Sequence, residues 1–184
     1  MVAALGMCAE VRADLASAGV AHDPHIEIGV MVETPSAVWI ADVLSSKAQF
    51  LSIGSNDLTQ YTLAMDRDNE RLAHLYEPLH PAMLRSIRHT VAAGHAAGRW
   101  VGICGEMAGN PIYTLFLLGI GLDELSMGPQ YIPIVKKLIR SVRMSDAQTI
   151  ARELLQLDTV EEVKAHMFAC LQRLELVEIV DAFS

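Results

Sequence analysis

The sequence predicts an α/β fold in which helices cover a parallel sheet, and three observations carry that reading. Short, nearly continuous apolar runs alternate with longer helical segments, the pattern of strands in a helix-covered parallel sheet. Each run ends in a cluster of Gly, Pro or small polar residues, where a strand hands over to a turn. This unit recurs four times between Ile26 and Pro129. Such a pattern leaves two architectures, a doubly wound sheet or a barrel. A complete eight-stranded barrel takes about 250 residues. With four units in 184 residues, the barrel alternative requires this chain to be half of one.

Taken in order, Met1 to Gly19 reads as an amphipathic helix rich in Ala and Leu, stopped by Gly19, with a polar linker over Ala21 to Pro24. The first strand run is Ile26 to Val32, ending in Glu33-Thr34-Pro35, with Ser36 to Lys47 helical behind it. The second is Gln49 to Ile53, ending in Gly54-Ser55-Asn56-Asp57, and the long segment Leu58 to His80 after it is where an active-site loop is expected. Pro81 to Ala97 is helical. A third run, Trp100 to Cys104, ends in Gly105-Glu106, and a fourth, Leu122 to Ser126, ends in Met127-Gly128-Pro129. Met144 to Ser184 reads as two helices, the second started by Asp158-Thr159-Val160-Glu161.

Composition narrows the function classes. The chain is 52% hydrophobic and 20% charged, enough for one sizeable core in one domain. Its net charge of -8 argues against nucleic acid or an anionic membrane surface as a partner, so an anionic substrate has to be met locally. Cys8, Cys104 and Cys170 are widely spaced, odd in number and without a CxxC pattern, which points to reduced thiols in the cytoplasm. Glu10, Arg12 and Asp14 interrupt any signal-peptide apolar run, and Ile112 to Leu122 falls short of the roughly 20 apolar residues that span a bilayer.

The chemistry is expected at the carboxyl ends of the strands, where loops and helix amino termini converge. Glu33, Asn56, Asp57, Cys104 and Glu106 all fall there. Singly, each has a plain explanation. Asn56 or Asp57 can cap the following helix, Glu33 can be a solvated turn residue, and a cysteine in an apolar run can be an inert core thiol. Together they point elsewhere, because two carboxylates on one rim suit Mg²⁺, which takes one or two carboxylates and leaves positions for water and substrate phosphate. Arg67 carries a planar, permanent charge that matches carboxylate or phosphate bidentately, or it belongs to a solvated Asp66-Arg67-Asp68 turn.

Three long segments carry a family resemblance. Gly29-Val30-Met31-Val32-Glu33-Thr34-Pro35, then Gly54-Ser55-Asn56-Asp57-Leu58-Thr59-Gln60-Tyr61-Thr62-Leu63-Ala64-Met65-Asp66-Arg67, then Gly102-Ile103-Cys104-Gly105-Glu106-Met107-Ala108-Gly109 resemble, in the right order, the signatures of the phosphoenolpyruvate-utilising enzymes. That family includes Enzyme I of the sugar phosphotransferase system, pyruvate phosphate dikinase and phosphoenolpyruvate synthase. The Val-Glu-Thr-Pro and Cys-Gly-Glu-Met-Ala-Gly forms look closest to Enzyme I, as does Gly121 to Met127. The likeness covers Ile26 to Arg143 and, more loosely, both flanks.

The resemblance implies the carboxy-terminal half of a phosphoenolpyruvate-binding (βα) barrel of the TIM type, with residues 1–20 as a leading helix, 26–143 as the βα units and 144–184 as carboxy-terminal helices. It implies that Glu33 and Asp57 are Mg²⁺ ligands, that Asn56, Asp57 and Arg67 hold phosphoenolpyruvate, and that Cys104 gives the enolate its proton to make pyruvate. In that family the phosphoryl group passes to an enzyme histidine and on to a histidine-containing phosphocarrier protein in the cytoplasm, and the barrel domain forms a homodimer. None of the seven histidines lies in the Gly- and Ser-rich context of the family's phosphoacceptor. The resemblance also implies substrate-clamping arginines from the first half of the barrel, so the chain taken alone is expected to bind weakly and not to transfer phosphate. The alternatives are a non-catalytic, dimerising half-barrel module, or the equivalent part of a dikinase or synthase.

Overall fold

A computed structural model of the chain describes residues 1–66, 69, 71, 72 and 75–181, the side chain of Asp181 excepted. The chain opens with α1 (Val2–Ser17), followed by β1 (Val30–Val32), α2 (Pro35–Trp39), α3 (Ala41–Ser45), β2 (Phe50–Gly54) and α4 (Ser55–Leu63). Then come α5 (Pro81–Ala96), β3 (Trp100–Cys104), α6 (Glu106–Gly109), α7 (Pro111–Gly119) and β4 (Glu124–Leu125). A 3-10 turn (Pro129–Tyr131) leads into α8 (Ile132–Ser141), α9 (Met144–Leu154), α10 (Val160–Arg173) and α11 (Val177–Asp181).

The four strands form one all-parallel sheet in sequential order, β1-β2-β3-β4. Sequential order with every crossover on the same side is how a barrel is wound, whereas a doubly wound sheet reverses its order part-way. The barrel alternative, as a partial barrel, therefore holds.

Strand alternation gives the sheet two unlike faces. Val32, Leu51, Ile53, Val101 and Ile103 are fully buried beneath the helices, against Leu58 of α4 and Met83, Leu84 and Ile87 of α5. On the other face the register runs Met31 to Ser52 to Gly102 to Glu124, one row across all four strands, and Gly54 pairs with Cys104 in the next. At the amino end of this face the rings of Phe50 and Trp100 stack, 4.2 Å apart and 8° from parallel. Above the rings stand Met31, Ser52, Gly102 and Glu124, and Met31 is 44% exposed.

Three helices start by one device, a cap residue followed by Pro at the first helical position. Thr34 Oγ1 accepts from the Ala37 N–H, His80 Nδ1 from the Ala82 N–H, and Asn110 Oδ1 from the Ile112 N–H, ahead of Pro35, Pro81 and Pro111. Thr34-Pro35 thus ends the first strand unit and launches α2 directly. In α10 the Thr159 hydroxyl and the Glu162 carboxylate form a reciprocal capping box at the expected start.

Four expectations need correction. The leading helix buries none of its residues and has no one-sided apolar face. The run Ile26 to Val32 pairs only over Val30–Val32, because β1 lies at the sheet edge and Ile26 is exposed. The helix after it is two short ones, broken where Ile40 leaves helical geometry at φ -113 and ψ 23. The carboxy-terminal region holds three helices rather than two. Among the described residues, no helix is long and apolar enough to cross a membrane.

Candidate functional site

Each predicted site residue except Arg67, which lies outside the described residues, sits at the carboxyl edge of the sheet. Glu33 follows the last residue of β1, half-buried. Its Oε2 lies 2.9 Å from where a Cβ on Gly54 would stand, so the bare backbone at Gly54 is what lets this carboxylate lean across β2. Cys104 ends β3, and its Sγ lies 3.9 Å from Met31 Sδ.

The thiol lies in an acidic surround. Burial pushes the Cys104 pKa up from its ordinary value of 9.0, a hydrogen bond with Ser52 draws it partly back, and the Glu33 and Glu124 carboxylates push it up further. Cys104 consequently keeps its proton at neutral pH, the state of a proton donor rather than of a nucleophile. Glu124 comes from β4 and lies over Gly102, where any side chain would collide with its carboxylate.

A second group of contacts fixes Asn56. Its Oδ1 accepts the Glu106 N–H at 3.0 Å, and its main-chain carbonyl accepts the Tyr76 hydroxyl at 3.1 Å. With Oδ1 held from behind, the amide NH₂ is left with no hydrogen-bond acceptor among the described residues and can donate to an anion. Ser55 ties this group to the thiol, its hydroxyl donating to the Cys104 carbonyl at 2.7 Å. Gly105 makes the junction possible: it sits at φ 93 and ψ -170, a region other residues rarely enter, and a Cβ there would strike Ser55 Oγ and stand 2.7 Å from Asn56 Oδ1.

Asp57 lies in the first turn of α4 and does not cap it, for Gly54 holds the cap position and no side chain bonds to the helix start. Among the described residues no hydrogen bond reaches the Glu33 or the Asp57 carboxylate. Two such carboxylates, both partly buried at neighbouring strand ends, are oxygen donors of the kind a hard divalent cation takes. A cleft of about 350 Å³ at the carboxyl edge is lined by Asn56, Gly105, Glu106, Ser126 and Met127, though neither Glu33 nor Asp57 lines it. A larger cavity of about 630 Å³ adjoins it on the side of α10, with Tyr76, Glu77, Glu106 and Tyr113 on its wall. Burial, followed by the Glu77 and Glu106 carboxylates, pushes the Tyr113 hydroxyl up to about 12.

The structure thus joins Glu33 to Cys104, and Asn56 to Glu106, and links the two groups through Ser55. The sequence reading missed Ser52, Glu124, Tyr76 and Met31. Ser52 could have been found two places before Gly54 on the same strand face. Glu124 and Met31 needed the register.

Four sequential parallel strands with a polar carboxyl edge define an α/β chain of the barrel type. The chain belongs to the phosphoenolpyruvate-utilising enzymes, whose phosphoenolpyruvate-binding domain matches residues 1–144. It is 50% identical over 153 residues to the phosphoenolpyruvate-protein phosphotransferase of Haemophilus influenzae, a match covering 83% of this chain and 27% of that relative. The protein of the same name from Staphylococcus carnosus is 45% identical over 154 residues, covering 84% and 27%. The multiphosphoryl transfer protein of Xanthomonas campestris is 46% identical over 159 residues, covering 86% and 18%. The chain therefore spans about a quarter, or less, of the length of these relatives.

Proposed function

We propose that this chain supplies the enolate-protonating part of a phosphoenolpyruvate site in a phosphoenolpyruvate-protein phosphotransferase. The observation that carries the reading is the placing of Cys104 at the end of β3, tied through the Ser55 hydroxyl to the pinned Asn56 amide. In the reaction, the bond between phosphorus and the enol oxygen breaks. The phosphoryl group goes to an enzyme histidine and on to a histidine-containing phosphocarrier protein, and the enolate left behind takes the Cys104 proton at its methylene carbon. Pyruvate forms, and the thiolate recovers its proton from water.

Glu33 and Asp57 are the residues that hold Mg²⁺ in this reading, and the ion, when bound, supplies positive charge to the phosphoryl and enolate oxygens. Asn56 donates its NH₂ to the phosphate, and Arg67 pairs with the substrate's charged oxygens. Glu124 has a separate part, since its negative charge disfavours ionisation of the thiol before the enolate arrives. Family membership supports a cytoplasmic, homodimeric assembly acting in sugar uptake.

The test is thermal. Oxalate, a planar mimic of the enolate, together with Mg²⁺ should raise the melting temperature of the 184-residue chain, and Asp57→Ala should abolish the rise. Exchange of pyruvate methyl protons with solvent should disappear in Cys104→Ala while oxalate binding remains. A wild-type melting curve that ignores Mg²⁺ and oxalate together would overturn the assignment of the metal ligands.

A further inference from the structure

The carboxy-terminal helices hold a set of side chains that the phosphoenolpyruvate site does not use. His166 and Cys170 stand four residues apart on α10 and so share one face of it. Glu153, in the last turn of α9, faces them, with its Oε2 2.9 Å from His166 Nε2. One ligand atom from each of Glu153, His166 and Cys170 lies within 4.8 Å of the other two. Cys170 is 2% exposed, while the side chains of His166 and Glu153 are 32% and 41% exposed, so the cluster has a closed floor and an open mouth.

We propose that Glu153, His166 and Cys170 form a zinc-binding site between α9 and α10, with water as the fourth ligand. A thiolate, an imidazole and a carboxylate make a borderline-soft donor set that favours Zn²⁺ over Mg²⁺ or Ca²⁺. The geometry is within reach. Tetrahedral bonds to Zn²⁺ place neighbouring ligand atoms about 3.3–3.7 Å apart. The His166–Glu153 pair at 2.9 Å therefore opens by roughly half an ångström, and separations of up to 4.8 Å close by roughly one, changes that side-chain torsions absorb. The helices beneath need not move, since Ile150, Leu154, Val163 and Met167 hold them together in the core.

The charges agree, for one thiolate and one carboxylate cancel the two positive charges of the ion. Arg173 Nη2 lies 3.7 Å from Cys170 Sγ and donates toward it, an outer partner of the kind that steadies a metal-bound thiolate. The simpler reading is a surface His166–Glu153 ion pair above an inert core thiol. That pair has no use for a sulfur atom within 4.8 Å of both of its members, and the metal site does.

The test uses the 184-residue chain, freed of metal by chelation and titrated with Co²⁺, whose bonds to thiolate absorb light where Zn²⁺ is silent. One equivalent should produce sulfur-to-cobalt charge-transfer absorption that Zn²⁺ then displaces. The absorption should survive Cys104→Ser and Cys8→Ser and vanish in Cys170→Ser. His166→Gln and Glu153→Gln, at partly exposed positions that leave the core intact, should each weaken Zn²⁺ binding by about 100-fold or more, beyond what loss of an outer partner costs. These two variants decide the matter even if Cys170→Ser fails to fold. Absence of the band in the wild-type chain, a band that follows Cys104 or Cys8, or unchanged Zn²⁺ affinity in His166→Gln overturns the proposal.

Discussion

Replacing Gly105 by alanine probes the junction on which the site depends. The backbone cost follows from φ 93 and ψ -170, a conformation that a residue with a Cβ adopts only at about 1–3 kcal/mol. The new methyl group also meets two anchored neighbours. Ser55 Oγ is held by its bond to the Cys104 carbonyl at 2.7 Å, and Asn56 Oδ1 by the Glu106 N–H at 3.0 Å, so relief must sacrifice one hydrogen bond, worth about 0.5–1.5 kcal/mol. Together these give a loss of about 2–4 kcal/mol. For a chain of this size that is a fall of about 5–15 °C in melting temperature. Gly98→Ala is the control, since Gly98 has φ 68 but open space around the would-be Cβ, and it should lose only about 1–2 kcal/mol. Urea unfolding of both variants at constant m separates backbone cost from collision. Equal losses in the two variants, or a loss under about 1 kcal/mol for Gly105→Ala, would refute the claim that the Asn56 and Cys104 groups are locked together through this glycine.

Other outcomes follow from the same contacts. Thr159→Ala removes half of the capping box of α10 and should cost about 1 kcal/mol in urea unfolding; a change within a few tenths would show the box to be idle. Alkylation of Cys104, followed by peptide mass mapping, should lag behind that of an unfolded thiol near pH 9 and speed up in Glu33→Gln, because that substitution removes a negative charge that raises the thiol pKa. Slower labelling in Glu33→Gln would contradict the acidic surround. The raised folded-state pKa also sets a sign for stability. The contribution is present below the unfolded value of 9.0 and is lost as pH rises through the higher folded value, so a thermal melt series should decline above about pH 9 less steeply in Cys104→Ser.

Much of the fold is written in local signals that survive in isolation. Trp100–Cys104 is a strand because its apolar run is bounded on both sides by turn residues, and α5 starts where His80-Pro81 announces it. What resisted reading were helix ends without glycine or proline. Ala64, at φ 54, closes α4, and Glu175, at φ 56, separates α10 from α11. Neither residue type announces a left-handed turn, so the start of the expected active-site loop hid α4, and two helices hid three. The site divides in a similar way. Residues at strand ends, such as Glu33, Asn56 and Cys104, follow from where each run stops. Ser52 and Glu124 lie within strands, and their nearness to the thiol depends on a register between segments 22 and 50 residues apart in sequence, which no local pattern encodes.

The paired rings of Phe50 and Trp100 lie two rows below Gly54 and Cys104 on the same sheet face. They cover the amino end of this face with apolar surface, leaving the polar groups of the site gathered at the carboxyl edge. They also give the molecule an optical reporter. Of its two tryptophans, Trp39 is 76% exposed and emits from water, whereas Trp100 is half-buried, stacks on Phe50 and donates its indole N–H to Glu27. A blue-shifted component in the emission spectrum that responds to ligand therefore reports on Trp100 and the sheet face that carries it.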